Sequence, residues 1–268
     1  MICGALITRN EEDIIEEVMD SHTQFCDYIY VIDDSSDNTA EIIQSYDEVV
    51  FFARNKDTFG RSEVDEAIPR GYLYEKIQGE YKEGWIVALC GDEIFFHDPL
   101  KVIDQAELED KTIVRCRPLN FFFHRSEREA IYQEDPTKSI VTRRKFFAYG
   151  GLRELRMCKN LGRDPKVRSR GQIPEIFMKA DGQAKEKFVF RLHPLFLHYN
   201  CRSPSQLEAR IKDRIESGFG PGYGFFLDNG IFLGDDGFRW PGNLDKVGRF
   251  ENGIFYPTEI EAGLEHLR

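Results

Sequence analysis

The feature that most constrains the fold is an alternation of strand-like and helix-like segments over the first hundred residues. Apolar segments such as MICGALIT (1–8) and DYIYVIDD (27–34) alternate with amphipathic ones such as RNEEDIIEEVMDSHTQF (9–25). In the last of these, apolar side chains recur at helical spacing at Ile14, Ile15, Val18 and Met19. This alternation predicts βαβ units and therefore an α/β fold with a mostly parallel central sheet flanked by helices.

Later segments extend the pattern and then change it. Strands are predicted over 49–53 and 85–90, and helices over 35–46 and 62–80, where Pro69 would break or start the helix. After residue 110, three aromatic-rich segments predict antiparallel additions to the sheet: 112–125, 139–151 and 187–200. SPSQLEARIKDRIESG (203–218) predicts a helix capped by Ser203, and the Gly-rich and aromatic residues after it predict an irregular segment.

Composition limits the classes of function. Of the 268 residues, 41% are hydrophobic and 31% charged, with a net charge of −11. This balance argues against nonspecific nucleic-acid binding, which needs clustered Lys and Arg. The basic stretch KNLGRDPKVRSRG (159–171) is the exception and would be a solvated loop or a contact for an anionic ligand.

The expected location is the cytoplasm. The chain has no apolar run long enough to cross a membrane, and its first residues lack the basic start of a signal peptide. Six scattered cysteines show neither a disulfide framework nor the paired spacing of a zinc site, so we expect reduced, mostly buried thiols.

Two acid pairs follow predicted strands and give the first sign of function. Asp33 and Asp34 end the strand 27–34, and Asp92 and Glu93 follow the strand 85–90. In open α/β sheets, ligands bind beyond the carboxyl ends of the strands. Asp33 and Asp34 would contact a ribose or base edge, or else form a capping turn. Asp92 and Glu93 would hold Mg²⁺ or Mn²⁺, or else form a solvated acidic turn.

Further titratable residues are candidates for the site. His193 and His198 are five residues apart in an apolar segment, so on a strand only one would face the crevice, and a buried structural role is the alternative. Glu154 follows two glycines and would act as a general base, or else lie exposed at the start of a surface helix. Glu134 and Asp135 form a competing acidic pair in a predicted loop.

The combined pattern resembles a known family. ALITRNEEDIIEEVMDSHTQFCDYIYVIDDSSDNTAEII (5–43) resembles the opening of family 2 glycosyltransferases, which have the GT-A (Rossmann-like) fold. The resemblance is clear over residues 1–100 and traceable to about 215. It implies a GT-A catalytic domain over 1–215, with a nucleotide-binding half (1–100) and an acceptor half (101–215). Residues 216–268 would form a C-terminal extension packed on the domain or on a partner.

The resemblance assigns roles to individual residues. Thr8, Arg9 and Glu11 would frame the nucleotide base, and Asp34, with Asp33 beside it, would contact the base or ribose. Arg61 would cover the nucleotide. Asp92 would ligate a metal that bridges the diphosphate, with His198 approaching that metal and Glu93 supporting it. Glu154 would be the catalytic base, with Asp135 and Glu134 as alternates.

This chain departs from the family at three points. Cys90 stands where the first acid of the metal-binding motif is usual, and Arg153 replaces the usual His before Glu154. The turn DDSSDNT (33–39) is one residue shorter than the common form.

The resemblance implies an inverting glycosyltransferase. It would use Mn²⁺ or Mg²⁺ and a nucleotide-diphosphate sugar, with UDP favoured, and transfer the sugar to a glycan or other hydroxyl acceptor. A binding protein that retains the fold without catalysis is one alternative, supported by Cys90. A nucleotidyltransferase is another, although its Gly-rich phosphate loop is not seen in ICGALITRNEE (2–12). The sugar, base, acceptor and oligomeric state are left open by the sequence.

Overall fold

The structure is a computed structural model that describes residues 1–59, 67–123, 127–135, 137–149, 153–160, 189–216, 247–251 and 254–256. The described residues fall into two compact units. The first contains those up to 117 and those from 153 to 196, and the second contains those from 118 to 149 and from 197 to 256. Within these residues, no helix is both long and apolar enough to cross a membrane.

The described residues form eleven strands and eight helices. The strands are β1 (Ile2–Thr8), β2 (Tyr28–Asp33), β3 (Val49–Arg54), β4 (Trp85–Cys90), β5 (Glu93–Phe95), β6 (Ile113–Phe121), β7 (Phe146–Tyr149), β8 (Glu154–Lys159), β9 (Leu195–His198), β10 (Val247–Glu251) and β11 (Ile254–Tyr256). The helices are α1 (Ile15–His22), α2 (Thr39–Gln44), α3 (Asn55–Phe59), α4 (Ala67–Glu80), α5 (Pro99–Leu108), α6 (Arg128–Ile131), α7 (Ile140–Arg143) and α8 (Pro204–Glu216).

The first unit is built on a mixed sheet in the order β3-β2-β1-β4-β8-β6. The strands β3, β2, β1 and β4 are parallel, and Leu6 of β1 lies between Val31 of β2 and Leu89 of β4. β8 is antiparallel to both β4 and β6. The predicted α/β fold, with a mostly parallel sheet and antiparallel additions, is therefore confirmed, and this arrangement is consistent with a GT-A-like fold.

Helices cover the sheet because alternate residues of each strand point to opposite faces. On one face, Cys3 and Ala5 of β1 share a buried cluster with Leu73, Tyr74 and Ile77 of α4. Gly4 points the other way, where a Cβ would lie 2.5 Å from Leu89 Cδ1 and 3.1 Å from Cys26 Sγ. Burying this apolar surface, at about 25 cal/mol per Å², is the main stabilisation of the unit.

The second unit contains antiparallel pairings. The end of β6 pairs with β7, β7 pairs with β10, and β10 pairs with β11. Helix α8 begins where predicted, with Ser203 Oγ accepting from Gln206 N at 3.1 Å and Pro204 in the first helical position. The Ser203 hydroxyl accepts a hydrogen bond from one of the free N–H groups at the helix start. Pro204 has no N–H group that would need a partner.

Several sequence-based boundaries need correction. Among the described residues of the segment 139–151, the short helix α7 comes first and Phe146–Tyr149 form the strand. The described part of the segment 187–200 contributes the four-residue β9. The C-terminal segment, expected to be irregular, contains β10 and β11 among its described residues. Pro69 lies in the first turn of α4, where a missing N–H costs nothing.

The cysteines agree with the expectation of reduced thiols. All six are free, and all but Cys90 are buried. Burial raises the pKa of the Cys3 and Cys158 thiols to about 12, because a thiolate is poorly solvated inside the protein.

Candidate active site

The ends of β1 and β2 are linked by hydrogen bonds between their following turns. Asn10 N donates to Ser35 Oγ at 2.8 Å, and Ser36 N donates to Asn10 Oδ1 at 2.7 Å. Glu11 N donates to Thr39 Oγ1 at 2.8 Å. Asn10 has a φ of 55°, a left-handed conformation that Asn tolerates better than most residues. The turn that contains Thr8, Arg9 and Glu11 is thus held against the turn that follows Asp33 and Asp34.

The two aspartates of this region have different environments. Asp33 is fully buried, and it accepts from Ser35 Oγ at 2.5 Å and from the Arg54 guanidinium. Burial raises the pKa of Asp33, while Ser35 and Arg54 act in the opposite direction. Asp34 keeps 14% of its side chain exposed, and its Oδ2 lies 3.6 Å from Arg9 NH1. Asp34 is therefore the more accessible of the two carboxylates.

The second acidic pair follows β4 in a tight turn, CGDE (90–93). Asp92 and Glu93 are both buried, with 5% and 6% of their surface exposed. Gly91 allows the turn to approach the end of β1, since a Cβ there would lie 2.4 Å from Thr8 Oγ1 and 3.0 Å from Glu11 Cγ. The structure thus brings the turn after β1, predicted to bind the nucleotide, next to the CGDE turn, predicted to bind the metal. Both lie at the carboxyl ends of parallel strands.

Two buried arginines surround the thiol of Cys90. Arg70 NH2 and Arg156 NH1 each lie 3.4 Å from Cys90 Sγ. Arg70 NH1 also donates to the carbonyl oxygens of Ala5 (3.2 Å) and Leu89 (3.3 Å), which ties α4 to the backbones of β1 and β4. Sequence reasoning missed both arginines, because Arg70 is 20 and Arg156 66 residues from Cys90 in the chain.

Arg156 also joins Glu154 to the CGDE turn. Its NH2 group donates to Glu93 Oε1 at 2.6 Å and to Glu154 Oε2 at 2.5 Å. Burial disfavours the charged guanidinium, but Glu93, Cys90 and Glu154 outweigh burial and raise the pKa of Arg156 above its ordinary value. Glu154 begins strand β8 with 33% of its side chain exposed, so the alternative of a surface helix start is wrong.

A buried histidine lies next to this turn. His22 of α1 is fully buried, and its ring packs edge-on to Phe25 with a centroid distance of 5.7 Å and lies 6.3 Å from Phe95. Burial lowers the pKa of His22 to about 3, with a further lowering by Arg156 and an opposing effect of the Cys90 carbonyl. The ring is therefore neutral at physiological pH.

The alternate bases lie in the second unit and have defined partners. Glu134 receives two donors from Arg144, one of them at 2.8 Å, and its Oε2 lies 3.6 Å from Arg143. Asp135 accepts from Thr137 N at 3.0 Å and from its hydroxyl at 2.7 Å, and these bonds lower the pKa of Asp135. Their proposed roles as bases remain untested predictions.

The predicted histidines belong to different units. His198 ends β9 in the second unit, where its Nδ1 lies 2.8 Å from Asn120 Oδ1. His193 is buried in the first unit. Arg61 and residues 161–171 of the basic stretch lie outside the described residues.

Comparisons with known proteins give only distant likenesses. No family model and no curated protein matches the sequence. S. aureus TarS is 15% identical over 79% of this chain, with a TM-score of 0.44, and the chain covers 38% of TarS. A structure of TarS 1–349 is 13% identical over 79% of this chain, which covers 63% of it, with a TM-score of 0.42. HddC from Yersinia pseudotuberculosis is 12% identical, with 78% of this chain and 97% of HddC covered and a TM-score of 0.34. The chain spans less than two thirds of either TarS chain, and these likenesses carry no conclusion about function.

Proposed function

We propose that this protein is a glycosyltransferase that transfers a sugar from a nucleotide-diphosphate sugar to an acceptor hydroxyl. The observation that carries this proposal is the convergence, in the first unit, of the turn after β1, the CGDE turn and Glu154. Gly91 packs the first two together, and Arg156 joins the third. Such a position, beyond the carboxyl ends of parallel strands, is where α/β sheets bind nucleotides.

The nucleotide would bind at the turn after β1. Thr8, Arg9 and Glu11 would frame its base, and Asp34 would accept hydrogen bonds from the base or ribose. Because Asp33 is buried against Arg54 and Ser35, its proposed role is to shape the turn rather than to contact the ligand. Arg61 would cover the nucleotide. UDP is the favoured nucleotide, on the resemblance alone.

The acids of the CGDE turn suit a hard divalent cation. Buried carboxylate oxygens of this kind bind Mg²⁺ or Mn²⁺, and Asp92 is the proposed ligand. Glu93 already accepts a bond from Arg156, so we assign it a supporting role. His198 remains a proposed second ligand, on the resemblance. A bound cation would supply positive charge for the diphosphate leaving group.

Glu154 is the proposed general base. Arg156 holds its Oε2, and Oε1 would take the proton from the acceptor hydroxyl. The acceptor oxygen would attack the anomeric carbon on the face opposite the diphosphate, which gives inversion. The C–O bond to the diphosphate breaks as the new glycosidic bond forms. The electron pair would leave with the diphosphate.

The first experiment is a thermal-shift screen of UDP-, dTDP- and GDP-sugars with and without Mn²⁺. Ligand binding to the native state raises the melting temperature, by an amount that grows with ligand concentration over Kd. Donors that bind are then assayed for hydrolysis, with water as the acceptor. We expect a Mn²⁺-dependent shift and slow release of nucleotide diphosphate. No shift and no release with any donor would refute the proposed function.

Variants then separate the roles. Asp92→Asn should abolish the Mn²⁺ dependence of binding, whereas Asp104→Asn, at an exposed position on α5, should not change it. Glu154→Gln should lower turnover by a factor of about 10² to 10⁴, the usual contribution of a general base, without loss of donor binding. Its matched control is Glu129→Gln, at an exposed position on α6. His198→Ala tests whether His198 is a second ligand of the cation, in which case the Mn²⁺ dependence of binding should weaken.

One observation favours a second candidate function, binding of a nucleotide sugar without turnover. Cys90 replaces a usual acid and lies between Arg70 and Arg156. Calorimetry paired with the hydrolysis assay distinguishes the candidates, since the binding protein would show heat of binding and no product.

A further inference from the structure

A single buried guanidinium connects three parts of the candidate active site. Arg156 contacts Cys90 Sγ at the end of β4, Glu93 at the start of β5 and Glu154 at the start of β8. The ring of Phe196, in β9, lies 4.5 Å from its Cζ. Only 3% of the Arg156 side chain is exposed. These four contacts together hold the guanidinium in one orientation.

The contacts place two carboxylates close to each other. Glu93 Oε1 and Glu154 Oε2 are both within 2.6 Å of the same nitrogen, Arg156 NH2. Two negative charges this near would repel each other without the cation between them. A buried carboxylate that loses its partner is also costly, and Glu93 is the more buried of the two.

The difference in exposure separates the roles of the two acids. Glu93 has 7% of its side chain exposed, so it depends on Arg156 for its charge to be tolerated. Glu154 has 33% exposed and is the acid that solvent, and hence an acceptor, can reach. One guanidinium thus neutralises the inner acid and fixes one oxygen of the outer acid.

We propose that Arg156 is a positioning residue: it keeps Glu154 in place as the base mainly by compensating the charge of Glu93, and its own bond to Glu154 Oε2 contributes less. This inference rests on the proposed function. It makes Arg156 act on turnover through Glu154, without contact with the nucleotide. Its loss should therefore lower kcat and leave the KM for the donor nearly unchanged.

The same geometry predicts that the effect of Arg156 depends on Glu93. If Arg156 serves to offset the Glu93 charge beside Glu154, neutralising Glu93 should make Arg156 less necessary. A purely structural arginine would not show this dependence, because the amide oxygen introduced by Glu93→Gln still accepts a hydrogen bond from Arg156, and loss of that arginine would cost the same in both backgrounds.

The experiment is a double-mutant cycle in the donor-hydrolysis assay, with Arg156→Met, Glu93→Gln and the double variant. We expect Arg156→Met to lower kcat at least tenfold with KM changed less than twofold. In the Glu93→Gln background, Arg156→Met should lower kcat less than threefold. Lys101→Met, which removes a cation at an exposed position on α5, is the control and should leave kcat unchanged.

Arg156→Lys covers the case in which Arg156→Met does not fold. Lysine keeps the charge but lacks the fork that reaches both acids, so kcat should fall to an intermediate value and rise again on adding Glu93→Gln. An equal loss in both backgrounds, or a loss confined to KM, would overturn the positioning role. Inactivity of the wild-type protein would instead refute the proposed function, so the two failures are distinct.

Discussion

Acidification should destabilise the protein through His22. Its pKa is lowered from 6.5 to about 3 in the folded state because the ring is fully buried. A histidine in the unfolded chain binds a proton below its ordinary pKa, whereas the folded state excludes that proton. Stability from the neutral ring is therefore complete above pH 6.5 and is lost progressively as the pH falls toward 3.

The size of the effect follows from the two pKa values. Between pH 7 and pH 5, linkage predicts a loss of about 2 kcal/mol in the free energy of unfolding. This result is insensitive to the folded-state value, because pH 5 is already far above a pKa of about 3. The window also lies above the ordinary pKa values of Asp and Glu, so most carboxylates contribute little to it.

The assay is urea unfolding at pH 7, 6 and 5, with the wild-type protein and a His22→Phe variant. Phenylalanine keeps a ring beside Phe25 and Phe95 and removes the titrating group. The variant should lose about 2 kcal/mol less than the wild type over this range. His22→Leu serves the same purpose if the larger ring does not fit. An equal loss in wild type and variant would refute the assignment of a neutral, buried His22.

Two further predictions concern the turns of the site. Gly91→Ala should destabilise the protein by about 1–3 kcal/mol in urea unfolding and weaken donor binding, because its Cβ would overlap Thr8 Oγ1. Gly79→Ala is its control, since that Cβ meets nothing within 4 Å and alanine in a helix should stabilise by about 0.5–1 kcal/mol. Arg54→Met should lower the free energy of unfolding at pH 7, because it leaves the Asp33 carboxylate buried without its cation. The expected loss is roughly 2 kcal/mol, less than for a fully buried pair, because Arg54 is partly exposed. Part of this loss should be regained as the pH is lowered and Asp33 becomes protonated; a loss that stays constant with pH would contradict the ion pair.

The sequence predicted the parallel half of the fold well because its signals are local. Apolar strands and amphipathic helices repeat within short windows, and the acids at the strand ends follow directly from those boundaries. The segment 139–151 was harder, because β-branched Ile140, Val141 and Thr142 favour a strand, whereas the structure places them in the short helix α7.

The electrostatics of the site could not be predicted in the same way. Arg54, Arg70 and Arg156 each contact a carboxylate, thiol or carbonyl that is distant in sequence. Their partners are determined by which strands pair, a nonlocal property. The different environments of Asp33 and Asp34 likewise depend on Arg54, at the end of the neighbouring strand β3.

The antiparallel pairing of β8 with β4 affects which parts of the sequence can change during evolution. In their register, Val87 lies opposite Met157, so the first residues of β8 lie near the end of β4. The distance between Glu93 and Glu154 is set by sheet hydrogen bonds and by Arg156, and not by the chain between them. The loops of that intervening chain, outside β5 and β6, can lengthen, shorten or change their sequence while the two acids keep their separation. Under the proposed function, such changes would alter which acceptor is used and leave Glu93 and Glu154 where they are.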